Sequence, residues 1–187
     1  MATSGTAHRT VGAPSRTEPA GTPLARRLHP SSGHGARLSP LDLLALAQAC
    51  TAAVEPWAVT RGPMTDRRFE LLEAADDFEV WVIHWPAGGQ LDLHDHGGSA
   101  GALWVRSGTL VEGVLMDGRV RRRRVRSGHG TSFGPSHVHD VVNRGPGPAT
   151  SVHAYSPPLA SMTFYRSERG RLAADRTDYR AGRAWTP

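Results

Sequence analysis

The 187 residues carry 22 basic and 17 acidic side chains, ten histidines and a single cysteine, Cys50. One cysteine excludes an internal disulfide and a cysteine-rich zinc site, and a chain of this length can bury a substantial core in one domain. Every basic residue is an arginine, and the excess sits at the ends: residues 1–38 hold five Arg and one Glu, and residues 166–187 hold six Arg against Glu168, Asp175 and Asp178. The segment between is slightly acidic, which argues against a nucleic-acid partner.

In chain order, residues 1–38 are rich in Gly, Pro, Ser, Thr and Arg and are expected to be a disordered tail. A single domain is expected over 39–187, with its barrel core at about 67–166. The twin arginine Arg26-Arg27 lacks a following apolar segment, and Leu41–Val54 is too short for a bilayer and contains Asp42 and Gln48. A cytoplasmic protein without a membrane partner is therefore expected. Ser39-Pro40-Leu41-Asp42 predicts a helix start, with Ser as N-cap, Pro at the first position and an acid in the first turn. The amphipathic helix should cover 40–54, with Cys50 as a small core residue.

After the helix the period changes to two. Strands are predicted at Arg67–Glu73, Phe78–Trp85, Leu91–His96, Ala102–Ser107, Thr109–Met116, Val120–Arg126, Val138–Asn143, Thr150–Tyr155 and Met162–Tyr165. Asp117-Gly118 reads as a two-residue hairpin turn. Short strands with Gly/Pro turns predict an all-β antiparallel barrel or jelly roll. The run Arg121-Arg122-Arg123-Arg124 reads as the charged face of an edge strand.

On a strand, His94 and His96 of His94-Asp95-His96 point to one face and can reach one metal ion. The alternative is two solvent-facing histidines beside a turn. A third imidazole can come from a separate strand, by His139 or by His137, which shares its parity. Three imidazoles with no cysteine or nearby carboxylate suit Fe, Zn, Cu or Ni.

The segments HDHGGSAG (94–101), FGPSHVHDVVN (133–143) and SVHAYSPP (151–158) together resemble the cysteine dioxygenase family of the cupin superfamily. The resemblance runs from about Arg68 to Tyr165. It implies a cupin, or double-stranded β-helix, fold. It also implies one Fe(II) per chain, held by His94, His96 and His139. His139 is preferred to His137 because it stands four residues before Asn143, as in the family's H-x-x-x-N pattern. The residue five after His96 is Gly101, where ordinary cupins have a glutamate ligand and the animal enzymes a cysteine crosslinked to tyrosine. An uncrosslinked Tyr155 is implied, as in bacterial relatives.

Ser151, His153 and Tyr155 alternate on one strand and match the family's Ser-His-Tyr set, which implies a catalytic role beside the iron. Arg68 stands seventeen residues before Trp85, the family's spacing for the arginine that binds the substrate carboxylate. A one-residue register slip would hand that role to Arg67. The implied reaction takes cysteine and dioxygen to cysteine sulfinic acid, with both oxygen atoms ending on sulfur and no external reductant. A monomer with these small-molecule partners alone is expected. The alternatives are another small thiol, chiefly 3-mercaptopropionate, for which relatives carry Gln in place of the arginine; a non-catalytic regulatory cupin; and a zinc or manganese cupin with isomerase or hydrolase chemistry.

Overall fold

The computed structural model describes residues 37–54, 64–168 and 171–180. The expected tail falls, but for its last two residues, outside them, as do the expected domain's last seven residues, 181–187. Among the described residues, one α-helix, α1 (Pro40–Cys50), precedes eleven strands: β1 (Arg68–Ala74), β2 (Glu79–Trp85), β3 (Gln90–His94), β4 (Ala100–Ser107), β5 (Thr109–Met116), β6 (Arg119–Arg126), β7 (Gly130–Phe133), β8 (His139–Asn143), β9 (Ala149–Ser156), β10 (Ser161–Glu168) and β11 (Arg171–Tyr179). They form two antiparallel sheets, ordered β1-β2-β9-β4-β7 and β11-β10-β3-β8-β5-β6, the two layers of a jelly-roll barrel. No described helix is long and apolar enough to cross a membrane.

The helix begins as its sequence predicts. Ser39 Oγ accepts the Asp42 N–H, and the Asp42 carboxylate accepts the Ser39 N–H in return. It stops at Cys50, short of the predicted Val54, and Thr51–Ala53 finish it as a 3₁₀ turn. Leu43, Leu46, Ala47 and Cys50 recur at helical spacing and are buried against Val80, Val82, Ala102, Val152 and Ala154. These strand residues make the outer face of the five-stranded sheet. Each buried leucine removes apolar surface worth roughly 2 kcal/mol. Burial pushes the Cys50 thiol up to about 11, so it stays a packed, protonated side chain.

The hairpin β5–β6 turns at Asp117-Gly118, both with positive φ (50° and 72°), the type I′ geometry that this pair favours. β6 is an edge strand, as its arginines suggest. Two strands lie beyond the sequence-based reading. Gly130–Phe133 is too short to show a period, and Arg171–Tyr179 is too polar to read as a half-buried strand.

Two β-bulges set the geometry of the interior. In β1, Leu71 pairs with Trp81 but Glu73 with Val80, so Leu72 is an extra residue. In β3, Leu91 pairs with Val141 but His94 with His139, again one residue extra. A bulge reverses which face the following side chains occupy. That reversal lets Leu91 and His94, an odd number of residues apart, both face inward.

Candidate metal centre

His94 and His139 are direct cross-strand partners on β3 and β8. His96 lies two residues past the end of β3, not on the strand as the alternating run predicts. What holds it in place is Asp95. Its N–H donates to Thr163 O, its Oδ1 accepts the N–H groups of Gly97 and Thr163, and its Oδ2 accepts the Tyr165 hydroxyl at 2.6 Å. The ligand nitrogens of His94, His96 and His139 lie within 4.8 Å of one another, and all three side chains are buried.

Their protonation suits metal binding. Burial pushes each imidazole's pKa down, most strongly for His94 and His96, so all are neutral. His94 Nδ1 donates to Asp92 O at 2.7 Å, and His139 Nδ1 donates to Glu112 Oε1 at 2.8 Å. Each therefore keeps its Nε2 lone pair for a metal. Both ring nitrogens of His96 are buried without a hydrogen-bond partner. Leaving such a group unsatisfied costs about 1–3 kcal/mol, a cost that coordination removes. The three residues fit a divalent transition metal.

Glu112 corrects the expectation of a site without a nearby carboxylate. It is fully buried on β5 and accepts from His139, His137, Arg123 and Thr131. Burial pushes its carboxyl pKa upward, but these hydrogen bonds outweigh that and hold it well below the usual range. Sequence reasoning missed it because position 112 has no motif, only an acid in an otherwise apolar strand. The same network explains one member of the arginine run, since the Arg123 guanidinium reaches Glu112 at 2.8 Å. Arg122 instead makes a two-pronged pair with Asp140. Glu112→Gln is expected to weaken metal binding about 10–100-fold, read by competition with a chelator. An unchanged affinity would show that Glu112 does not orient His139.

On the facing sheet, Ser151, His153 and Tyr155 point inward from β9 as predicted. They form a relay that begins at a residue not singled out for it, Trp85. The Trp85 indole N–H donates to Ser151 Oγ at 2.9 Å. The Ser151 hydroxyl is then free to donate to His153 Nε2 at 2.8 Å, and His153 Nδ1–H to the Tyr155 oxygen at 3.2 Å. Tyr155 keeps its own O–H for the site, and its ring lies 5.1 Å from that of His96. Burial raises the Tyr155 pKa and lowers that of His153 to about 3, so the tyrosine is protonated and the histidine neutral. Gly101 is required by close approach. A Cβ there would fall 2.5 Å from the Phe133 ring and 2.9 Å from Tyr155.

The structure places the two candidate arginines on opposite faces of β1's sheet. Arg68 pairs with His84 and shares its face, the outer one, where it is exposed. Arg67 points inward. Its guanidinium lies 5.6 Å from the centroid of the Trp85 ring, and one nitrogen donates to Gln90 O at 3.1 Å. It lines an apolar pocket with Phe69, Trp81, Ile83, Tyr155 and Phe164. The physical reason is the β1 bulge. The extra residue Leu72 adds one to the count back from Trp85 and moves the inward position from 68 to 67. The sequence signal was the slip alternative itself.

The family model for cysteine dioxygenase type I matches residues 55–168. Among solved structures, an oxalate oxidase bound to the substrate analogue glycolate is 19% identical, with 50% of this chain and 52% of that chain covered and a TM-score of 0.44. This chain thus spans about half the length of that one. An uncharacterised conserved protein with a double-stranded β-helix domain from Klebsiella pneumoniae is 20% identical, covering 66% of this chain and 96% of that one at a TM-score of 0.47. A sugar phosphate isomerase of the cupin superfamily from Silicibacter pomeroyi is 22% identical, covering 59% and 76% at a TM-score of 0.45.

Proposed function

The chain belongs to the cysteine dioxygenase type I family, and we propose from that premise that it oxidises a small carboxylate-bearing thiol, cysteine foremost, to its sulfinic acid with dioxygen, at an Fe(II) held by His94, His96 and His139. The observation that carries this reading is the adjacency of a neutral three-imidazole set to the pocket that Arg67 enters: two of that pocket's walls, Tyr155 and Phe164, lie 5.1 Å from the His96 ring and 5.7 Å from the His94 ring.

When bound, the iron supplies the redox centre at which thiolate and dioxygen meet. The rest is done by the protein's own groups. Arg67 spends one donor on Gln90 O and is braced over Trp85, which leaves the remaining donors to clamp a carboxylate in two-pronged fashion. The clamp fixes the distance between carboxylate and sulfur and so favours a thiol of cysteine's length. Tyr155, held protonated by burial, offers a hydrogen bond to the reacting atoms and does not act as a base. The Trp85–Ser151–His153 relay fixes the direction of that O–H. The apolar walls Phe69, Trp81, Ile83 and Phe164 limit water around the sulfur. Overall, R–SH and O2 give the sulfinate R–SO2⁻ and one H⁺. Sulfur gives up four electrons, dioxygen accepts them, and the thiol proton leaves to solvent.

The test is anaerobic loading with Fe(II), addition of cysteine or 3-mercaptopropionate, then oxygen. One sulfinate per dioxygen consumed is expected, with cysteine preferred in kcat/KM. Protein that carries iron, binds thiol and consumes no oxygen would sink the proposal.

A further inference from the structure

We infer that Arg176, on β11, is a specificity-determining residue that selects thiols bearing an anionic group; this deepens the thiol-oxidation reading and rests on it. Arg176, Phe164, His94 and His139 are successive cross-strand partners, β11 to β10 to β3 to β8. Cross-strand partners share a face of the sheet, so Arg176 stands in the same inward row as two of the three imidazoles. With strands about 4.8 Å apart, its backbone is roughly 10 Å from that of His94. Its guanidinium lies 3.8 Å over the Phe164 ring, and that ring lies 5.7 Å from the His94 ring. Arg176 and Asp178 both line the pocket that Arg67 enters from the opposite sheet.

The charges facing this pocket are Arg67, Arg176 and Asp178; the histidines around it are neutral. Asp178 meets Arg176 at only 3.5 Å, longer than the 2.7–2.9 Å of a strong charge-assisted bond. A guanidinium so loosely engaged keeps donors for a second anion. Arg176 is half exposed, at 52% of its side chain, which makes it a charge of the pocket's mouth. Such charges act on capture and its salt dependence more than on the bound chemistry. The strand that supplies it lies beyond the residues matched by the family model, which end at 168. Arg176 therefore acts from a strand outside the residues that the family model matches.

The test uses the full Fe(II)-loaded chain without oxygen, so binding is read apart from turnover. Calorimetry compares 3-mercaptopropionate with 2-aminoethanethiol. Arg176→Gln should weaken the carboxylate thiol about five-fold and shift the aminothiol less than two-fold. Arg176→Lys should recover most of the loss. Asp178→Asn, which removes the competing anion, should tighten the carboxylate thiol two- to three-fold and is informative even where the Gln variant folds poorly. Equal shifts for both thiols, or weaker carboxylate binding in Asp178→Asn, would overturn the inference. Absence of sulfinate from wild type would instead strike the proposed reaction and leave these binding ratios to decide the role of Arg176.

Discussion

His139→Ala should lose the bound metal, and thiol oxidation with it, while His137→Ala should keep one metal ion per chain. The two histidines share strand parity in the sequence, and both reach Glu112, so proximity to an acid does not separate them. Ring geometry does. His137 and His96 both stack on Phe133, at 4.4 and 4.9 Å, and two rings cannot occupy one face of a third. Phe133 therefore stands between His137 and His96. The His139 ring meets those of His94 and His96 directly, at 4.7 and 5.0 Å. His137 instead spends Nε2 on Glu112. Removing a metal ligand should cost more than the roughly 100-fold that loss of a ligand's supporting hydrogen bond costs. Metal content by mass spectrometry and oxygen uptake on the same samples would decide. Retention of stoichiometric metal by His139→Ala would move the third ligand elsewhere.

Arg67→Gln is expected to lower kcat/KM for cysteine about 10–100-fold, and Arg68→Gln to leave it within about two-fold. A hydrogen bond to a charged partner is worth about 1.5–3 kcal/mol, and each 1.4 kcal/mol is a factor of ten. Arg67 is braced on Trp85 and directed into the pocket, whereas Arg68 shares the outer face with His84. A large loss in Arg68→Gln with Arg67→Gln unaffected would reverse the assignment.

How much of this was legible depends on the kind of information each feature needs. The H-x-x-x-N segment and the Ser151-His153-Tyr155 alternation are local, whereas His96, past the end of β3, is held by the contacts of Asp95 with Thr163 and Tyr165 of β10. A spacing of two on an extended chain fixes a shared face wherever the strand lies, and β9 carries its set inward as predicted. The helix cap at Ser39 is local for the same reason, since its hydrogen bonds span three residues. The pairing of β3 with β8, which makes His94 and His139 neighbours, belongs to the topology and reached the sequence reading only through the resemblance.

Glu112 belongs to the second kind as well. Its role is defined by side chains from β6, β7 and β8, and nothing within a few residues of position 112 announces it. Arg176 likewise gains meaning only from the row of partners that links it to Phe164 and His94.

By itself, then, the sequence determined the all-β class and the three-imidazole chemistry. It also determined the facing set on β9 and, through the resemblance, narrowed the expected inward arginine to position 67 or 68. The tertiary structure alone decided which of those two arginines faces the interior, and it decided how His94 comes to face His139. In both cases the reason is a β-bulge. One extra residue in a ladder costs little locally and leaves no period to read, yet it turns every following side chain to the opposite face.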